Sequence, residues 1–389
     1  MTDRLLQRLD DEYAVRLLKE MIAIPSVVGE EGALAAYLHD ELRRLGLRCE
    51  RHAVEAGRPN VYASLDGASP GPHLVFCGHT DTVPPAPGWS TDPFAPVEKD
   101  GRIHGLGACD MKAGLACMLN ALRAVAESGI ELAGTLSFAA VVDEEGYSAG
   151  ARAMLEHPIG RADAVLLSEP YCGDETKPIP LGLTGKLLYD LQVSGRAAHG
   201  FCPEQGVNAV EEAARILANL DRLELAVHPR FGRGNTSTLK IEGGYSVYSV
   251  VVPAECRVEI NRLLVPGETV AGAIADMERL AAGLGLSARV AVRTKSPRYE
   301  ACLLDPAAPI LSIFDAVYRE VVGRAPVYGY ERGITDANVL MGEAGVPCVH
   351  LGPPRGGVHQ KDEYMERGWV GPLSRMYALI AARFLKAAG

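Results

Sequence analysis

The feature that most constrains this chain is the order in which strand-like and helix-like patterns follow one another. Residues 30–45 place Leu34, Tyr37, Leu38, Leu42 and Leu45 at helical spacing with charges between them, and Gly46 stops the run. Apolar, β-branched runs follow at 60–65, 73–77 and 134–142, with a helical stretch at 112–128 between the last two. This alternation predicts an α/β domain. Over 171–185 the composition changes, and Pro178, Pro180 and Gly182 predict a hinge rather than an element. Beyond it the expected order is strand 186–194, helix 207–220 capped by Asn208 or a neighbour, strands 236–242 and 254–263, helix 268–284 and strand 287–294. That is the ferredoxin-like β-α-β-β-α-β motif. A Pro-containing crossing at 295–309 leads to a helix at 310–322, a short strand at 347–351 and a final helix from 368. The expectation is one α/β domain built from 1–182 and 295–389, interrupted by an inserted α+β domain at 183–294.

With 389 residues the chain suits two domains and can bury a large core without staples. Its 39 Lys+Arg against 49 Asp+Glu leave a net charge of −10, so no basic excess exists to neutralise phosphates and a nucleic-acid partner is not expected. Apolar residues at 48% and charged residues at 23% fit a soluble globular protein. The charged stretch 1–11 is unlike a signal-peptide core, and no run of eighteen apolar residues occurs, so neither secretion nor membrane spanning is expected. Nine scattered cysteines without a Cys-x-x-Cys pair read as small core residues in a reducing cytoplasm.

Chemistry-bearing residues fall where expected strands run into loops, the usual ligand position in α/β domains: His79, Asp110, the pair Glu144 and Glu145, Glu169, and His359. Asp81 stands two residues after His79 and faces the same side in extended chain, where it can orient the imidazole for a metal. A His-x-Asp in an exposed loop is the plainer alternative. Glu144 and Glu145 follow an apolar strand, and alternation would send them to opposite sides, one as ligand and one as base. Asp110 opens a helix, where an acid also serves as an ordinary cap. The combination points further: two divalent ions carry +4, while Asp110, one of the Glu pair and Glu169 carry −3, and a hydroxide restores neutrality. Two imidazoles and three carboxylates, one bridging, suit zinc, cobalt or manganese about 3.5–4 Å apart.

These residues lie in motifs that span nearly the whole chain. They are Gly78-His79-Thr80-Asp81-Thr82-Val83-Pro84, Gly88-Trp89-Ser90-Thr91-Asp92-Pro93-Phe94, Gly105-Leu106-Gly107-Ala108-Cys109-Asp110-Met111-Lys112, Asp143-Glu144-Glu145, Ser168-Glu169-Pro170 and His359-Gln360-Lys361-Asp362-Glu363. The chain thereby resembles the co-catalytic metallopeptidase and deacylase family of acetylornithine deacetylase, succinyl-diaminopimelate desuccinylase, aminoacylase and bacterial glutamate carboxypeptidase. The resemblance implies a three-layer catalytic domain with a mixed sheet and an inserted lid and dimerisation domain. It implies two divalent ions, zinc first and cobalt or manganese as alternatives. His79, Asp110 and Glu169 would hold one, and Asp110, Glu145 and His359 the other, with Asp110 bridging, Glu144 the general base and Asp81 orienting His79.

Gly195-Arg196-Ala197-Ala198-His199-Gly200 and Gly206-Val207-Asn208-Ala209 look like the family's lid, so His199 would reach the partner subunit's site in a homodimer and stabilise the oxyanion. Arg262, in Glu259-Ile260-Asn261-Arg262, would anchor the substrate carboxylate with Asn261 beside it, and Gly356 and Gly357 would add backbone donors. The family usually has Ser or Thr near 200–202 and Asn shortly before Val252-Pro253; this chain has Gly200-Phe201-Cys202 and Tyr248-Ser249. The implied activity is cleavage of an N-acyl amino acid amide, with carboxypeptidase or dipeptidase action as the alternative. Gly146-Tyr147-Ser148-Ala149-Gly150 matches a serine-hydrolase elbow, but three acids stand between it and its strand, and their charge would oppose an oxyanion. Gly105-Leu106-Gly107 lacks the third glycine of a dinucleotide loop.

Overall fold

The computed structural model describes residues 2–247, 249–354 and 356–386; Tyr248 lies outside them. The chain divides into two compact units, Met1–Leu181 with Leu304–Tyr330 and Thr335–Gly389, and Gly182–Leu303 with Glu331–Ile334.

The first unit is built on a six-stranded sheet in the order Arg48–Glu55, Arg58–Asp66, Ala133–Val141, Ser69–His79, Ala164–Leu167 and Cys348–His350. The first two pairings are antiparallel and the remaining three parallel. The parallel strands bury Leu74 to Cys77 and Ala164 to Leu167 without alternation, as strands covered on both faces must. Against one face lie helices Ala113–Ser128 and Val370–Phe384, and there the Phe76 ring sits 5.6 Å from that of Tyr377. Removing a ring this deep, as in Phe76→Ala, costs about 3–5 kcal/mol. Helix Ala149–Glu156 covers the other face through Asn60, whose amide donates to the Gly150 carbonyl and the Tyr62 hydroxyl. The sheet is therefore the middle of three layers.

Local signals explain the helix ends. Asp10 caps helix Asp11–Ile22 by accepting the Glu12 and Tyr13 amides, and Gly46, at φ +74°, follows helix Gly32–Arg44. The second unit carries a four-stranded antiparallel sheet ordered Asn235–Gly243, Glu255–Leu264, Gly185–Ser194 and Arg289–Tyr299. Helices Ala209–Leu217 and Val270–Gly283 pack on it around Leu187, Tyr189, Leu191, Val258, Ile260 and Met277, which is the ferredoxin-like arrangement. Asn208 caps the first of these helices by accepting the Val210 and Glu211 amides.

Several elements differ from the sequence expectation. Strand Arg48–Glu55 forms the sheet edge, where a half-charged sequence gives no apolar pattern to read. Strands Val97–Lys99, Arg102–His104 and Tyr364–Glu366 make a small sheet from pieces too short to show a period. The expected hinge contains strand Ile179–Leu183, because buried Ile179 and Leu183 outweigh the breaking signal of Pro180 and Gly182.

Candidate metal centre

All the expected ligand positions of the first unit collect at the carboxyl ends of its parallel strands. His79 is the last residue of its strand and is buried. Its Nδ1 lies 2.9 Å from the Asp81 carbonyl oxygen, which can only accept, so Nδ1 carries a proton and Nε2 turns to the cluster. That Nε2 is 3.1 Å from Asp110 Oδ1 and 3.8 Å from Glu169 Oε1. On the far side of Asp110, His359 Nε2 is 3.5 Å from Oδ2 and 2.7 Å from Glu145 Oε1. Asp110 thus offers one oxygen to each imidazole.

The backbone strains to present these groups. Asp143 stands at φ +72° and His359 at φ +60°, a region that side chains rarely adopt and that is held here by surrounding bonds. Asp143 accepts the amides of Tyr147 and Ala149 and pairs with Arg58 Nη2 at 2.7 Å. The chain therefore turns where alternation was expected, and Glu144 and Glu145 do not point to opposite faces of a strand. Both enter the cluster: ligand atoms of His79, Asp110 and Glu145 lie within 4.8 Å of one another, as do those of His79, Glu144 and Glu169. Asp81 also differs from expectation. Its carbonyl rather than its carboxylate bonds the His79 ring, whose Nδ1 is 3.7 Å from Oδ1, while the carboxylate accepts the Glu144 and Glu145 amides at 3.2 and 2.8 Å.

Burial and like charge shift these groups together. Burial, then the charge of Glu169, pushes the Glu144 carboxyl well above the usual range; burial, then Asp110, does the same to Glu169. Burial raises Asp81 to about 6. Burial works against protonated His79, but the Asp110 hydrogen bond and the charges of Asp81 and Glu144 outweigh it and hold the imidazole well above its ordinary value. Asp336, which sequence reasoning missed, joins the cluster: it is buried, its Oδ1 has no hydrogen-bond partner, and burial raises it to about 7. Two imidazoles cannot balance Asp81, Asp110, Glu144, Glu145, Glu169 and Asp336. Divalent cations taking mixed oxygen and imidazole donors fit this set.

The structure gives several of the other expected residues surroundings of their own. Arg262 occupies the inward-facing phase of strand Glu255–Leu264, between buried Ile260 and Leu264, because alternate residues face the helices. There it pairs with Glu268 at 2.7 Å and Asp276 at 3.0 Å and donates to the Tyr189 hydroxyl, so it is a structural ion pair of the second unit rather than an anchor for substrate. Asn261 lies on the opposite, half-exposed face. The Gly356 amide is spent on Cys109 Sγ at 3.4 Å, and a Cβ there would meet the Tyr364 carbonyl oxygen at 1.9 Å, so this glycine is needed for close packing. Gly357, at φ +70°, serves a turn in which its carbonyl accepts the Gln360 amide. Ser148 is buried at the start of helix Ala149–Glu156 with its hydroxyl on Asp336, which removes the serine-hydrolase alternative. His199 is exposed in the second unit, its Nδ1 accepting the Phe201 amide.

The family model described as "Peptidase family M20/M25/M40" matches residues 75–383. Succinyl-diaminopimelate desuccinylase from Methylorubrum populi is 30% identical over 97% of this chain and 99% of its own length, and that from Methylobacterium sp. is 33% identical over 93% of each. Among solved structures, the aminopeptidase PepT from Bacillus cereus aligns over 97% of this chain and 100% of its own, with a TM-score of 0.76 and 23% identity. A putative aminohydrolase from methicillin-resistant Staphylococcus aureus covers 99% and 100% at TM-score 0.82 and 18% identity. With a family model matched over most of its length and near-full-length relatives at 30% identity and above, the chain belongs to the peptidase family M20/M25/M40 and is a metal-dependent hydrolase.

Proposed function

We propose that this hydrolase cleaves the amide bond of an N-acyl amino acid of the N-succinyl-diaminopimelate or N-acetylornithine type, using two divalent ions held on Asp110. The observation that carries the reading is the placement of Asp110 between His79 and His359, one carboxylate oxygen towards each ring. His79, Asp110 and Glu169 would hold one ion, and Asp110, Glu145 and His359 the other. Zinc is the first choice for this donor set, with cobalt or manganese next. The desuccinylase relatives favour the succinylated substrate over other acyl groups.

When bound, the ions supply Lewis-acid polarisation of the scissile carbonyl and lower the pKa of water. The remaining work belongs to the chain. Glu144 takes the proton of the attacking water as the C–O bond forms, and returns it to the amine nitrogen as the C–N bond breaks. Asp81 keeps the His79 ring in one tautomer through its carbonyl and fixes the Glu144–Glu145 turn through its carboxylate.

His199 would complete the site of a second copy by stabilising the oxyanion there, and Asn261 and Gly357 remain the candidates for contacting substrate. A homodimer through the inserted domain is supported by exposed Leu239 and Ile241 on the sheet-edge strand Asn235–Gly243, with exposed Tyr245 and Val247 just after it in sequence. Nine free cysteines fit a reducing cytoplasm. Among the described residues no helix is long and apolar enough to cross a membrane.

Hydrolysis of N-succinyl-diaminopimelate, N-acetylornithine and dipeptides, before and after chelation, tests the proposal. Fastest turnover on an N-acyl amino acid, lost on chelation and restored by zinc, supports it. Turnover confined to dipeptides would replace the deacylase reading with peptidase action.

A further inference from the structure

We propose that Glu363 is the positioning residue that locks Asp110 and His359 into one rigid unit, a role that rests on the dinuclear reading above. Glu363 is buried, and its carboxylate accepts three amides of one loop: Gly107 at 2.9 Å on Oε2, and Cys109 at 2.8 Å and Asp110 at 2.9 Å on Oε1. Its own carbonyl accepts the Gly105 amide at 3.0 Å. Every one of these bonds ends on the loop that presents Asp110, and Glu363 lies four positions after His359 in the chain.

The small sheet explains how this residue arrives there. Strand Tyr364–Glu366 pairs antiparallel with Arg102–His104, with Tyr364 opposite His104, so the chain entering one strand runs beside the chain leaving the other. Glu363 precedes the first and Gly105 follows the second. Gly107, at φ +76°, lets the loop curl over the carboxylate, and a Cβ there would approach Thr82 Cγ2 to 2.7 Å. A second tie joins the same two loops: Cys109 Sγ lies 3.3 Å from the Pro354 carbonyl and accepts the Gly356 amide.

Both Glu363 oxygens are engaged by backbone donors, so this residue holds the cluster from behind instead of contributing a ligand. Amide dipoles converging on one carboxylate form a nest that suits an anion and rejects a side-chain donor. In Glu363→Gln the carboxamide turns an N–H towards an N–H, and the Asp110 loop loses part of its support. The expected consequence is weaker ion binding, by about ten-fold or more, with kcat lowered more than KM, as for loss of groups that orient metal ligands.

Three readouts on purified Glu363→Gln and Glu363→Asp test this: zinc affinity by chelator competition, amide hydrogen exchange of residues 105–110 in the metal-free chain, and thermal melting. The proposal expects E363Q to bind zinc at least about ten-fold more weakly. It expects faster exchange at Gly107, Cys109 and Asp110 with the Ser69–His79 strand unchanged, and partial recovery in E363D. Wild-type affinity and exchange in E363Q would overturn it, as would loss of protection spread evenly through the sheet, which would make Glu363 a general support. A wild-type chain that binds no divalent ion would sink the dinuclear reading, while the exchange measurement would still decide the clamp.

Discussion

Each unit of this protein buries a charged cluster, and the two are balanced in different ways. In the inserted unit, Arg262 meets Glu268, Asp276 and the Tyr189 hydroxyl, and Arg279 pairs with Asp276, so two cations balance two anions. In the catalytic unit, six carboxylates face two imidazoles, and burial drives Glu144, Glu169 and Asp336 upward in pKa. The charges of the first cluster balance within the chain, whereas those of the second call for cations from outside it. Buried charge therefore marks function where its compensation is missing, and structure where it is present.

The largest effect is expected at Glu144. Glu144→Gln should lower turnover by about 10²–10⁴-fold with ion content retained, measured by steady-state kinetics beside elemental analysis; near-normal turnover would remove the general base from the account. The matching change in the other cluster acts on stability. Arg262→Ala leaves the nearly buried Glu268 carboxylate without its cation, while Asp276 keeps Arg279, at a cost of about 3 kcal/mol, read as an earlier denaturation midpoint. A raised KM with unchanged stability would return Arg262 to the substrate.

Opposite pH slopes offer a third test. The carboxyls of Glu144, Glu169 and Asp336 titrate higher when folded, Asp336 to about 7, so the unfolded chain releases their protons first. Stability of the metal-free chain should therefore fall as pH rises from about 4 to about 7, and added zinc should cancel the fall. Asp190 behaves in the reverse sense: Arg257 holds it below the usual carboxylate range, so its contribution is present above the unfolded value and lost as pH falls through the folded one. A flat melting profile for the metal-free chain across this interval would show that the carboxylates are already compensated. The smallest effect belongs to a helix end: Asn208→Ala should cost about 1 kcal/mol by leaving the Val210 and Glu211 amides uncapped, without altering ion binding.

Much of this was legible in the sequence because it depended on periodicity and on motifs. The parallel strands ending at His79, before Asp143 and before Ser168 could be read from unbroken apolar runs, and the inserted motif from its element order. The edge strand Arg48–Glu55 could not, since pairing on one side allows it to stay polar. At the site, residue types were visible but not their partners. Sequence spacing suggested that Asp81 holds His79 by its carboxylate, but the nearest acceptor is its carbonyl. Arg262 looked available, but the phase of its strand turns it inward, and one residue of phase decides between core and surface. Asp336 and Glu363 act through groups far away in the chain, Ser148 for one and Gly107 to Asp110 for the other; a lone acid gives no local sign of that.

The central claim is that the catalytic cluster is completed by ions it holds on a shared carboxylate. Elemental analysis of the purified chain after dialysis against zinc tests it most directly, with Asp110→Asn beside it. About two ions per chain are expected in the wild type, with loss of both sites' tight binding in the variant. A wild-type chain that retains no ion, or an Asp110→Asn chain that retains the full complement, would contradict it.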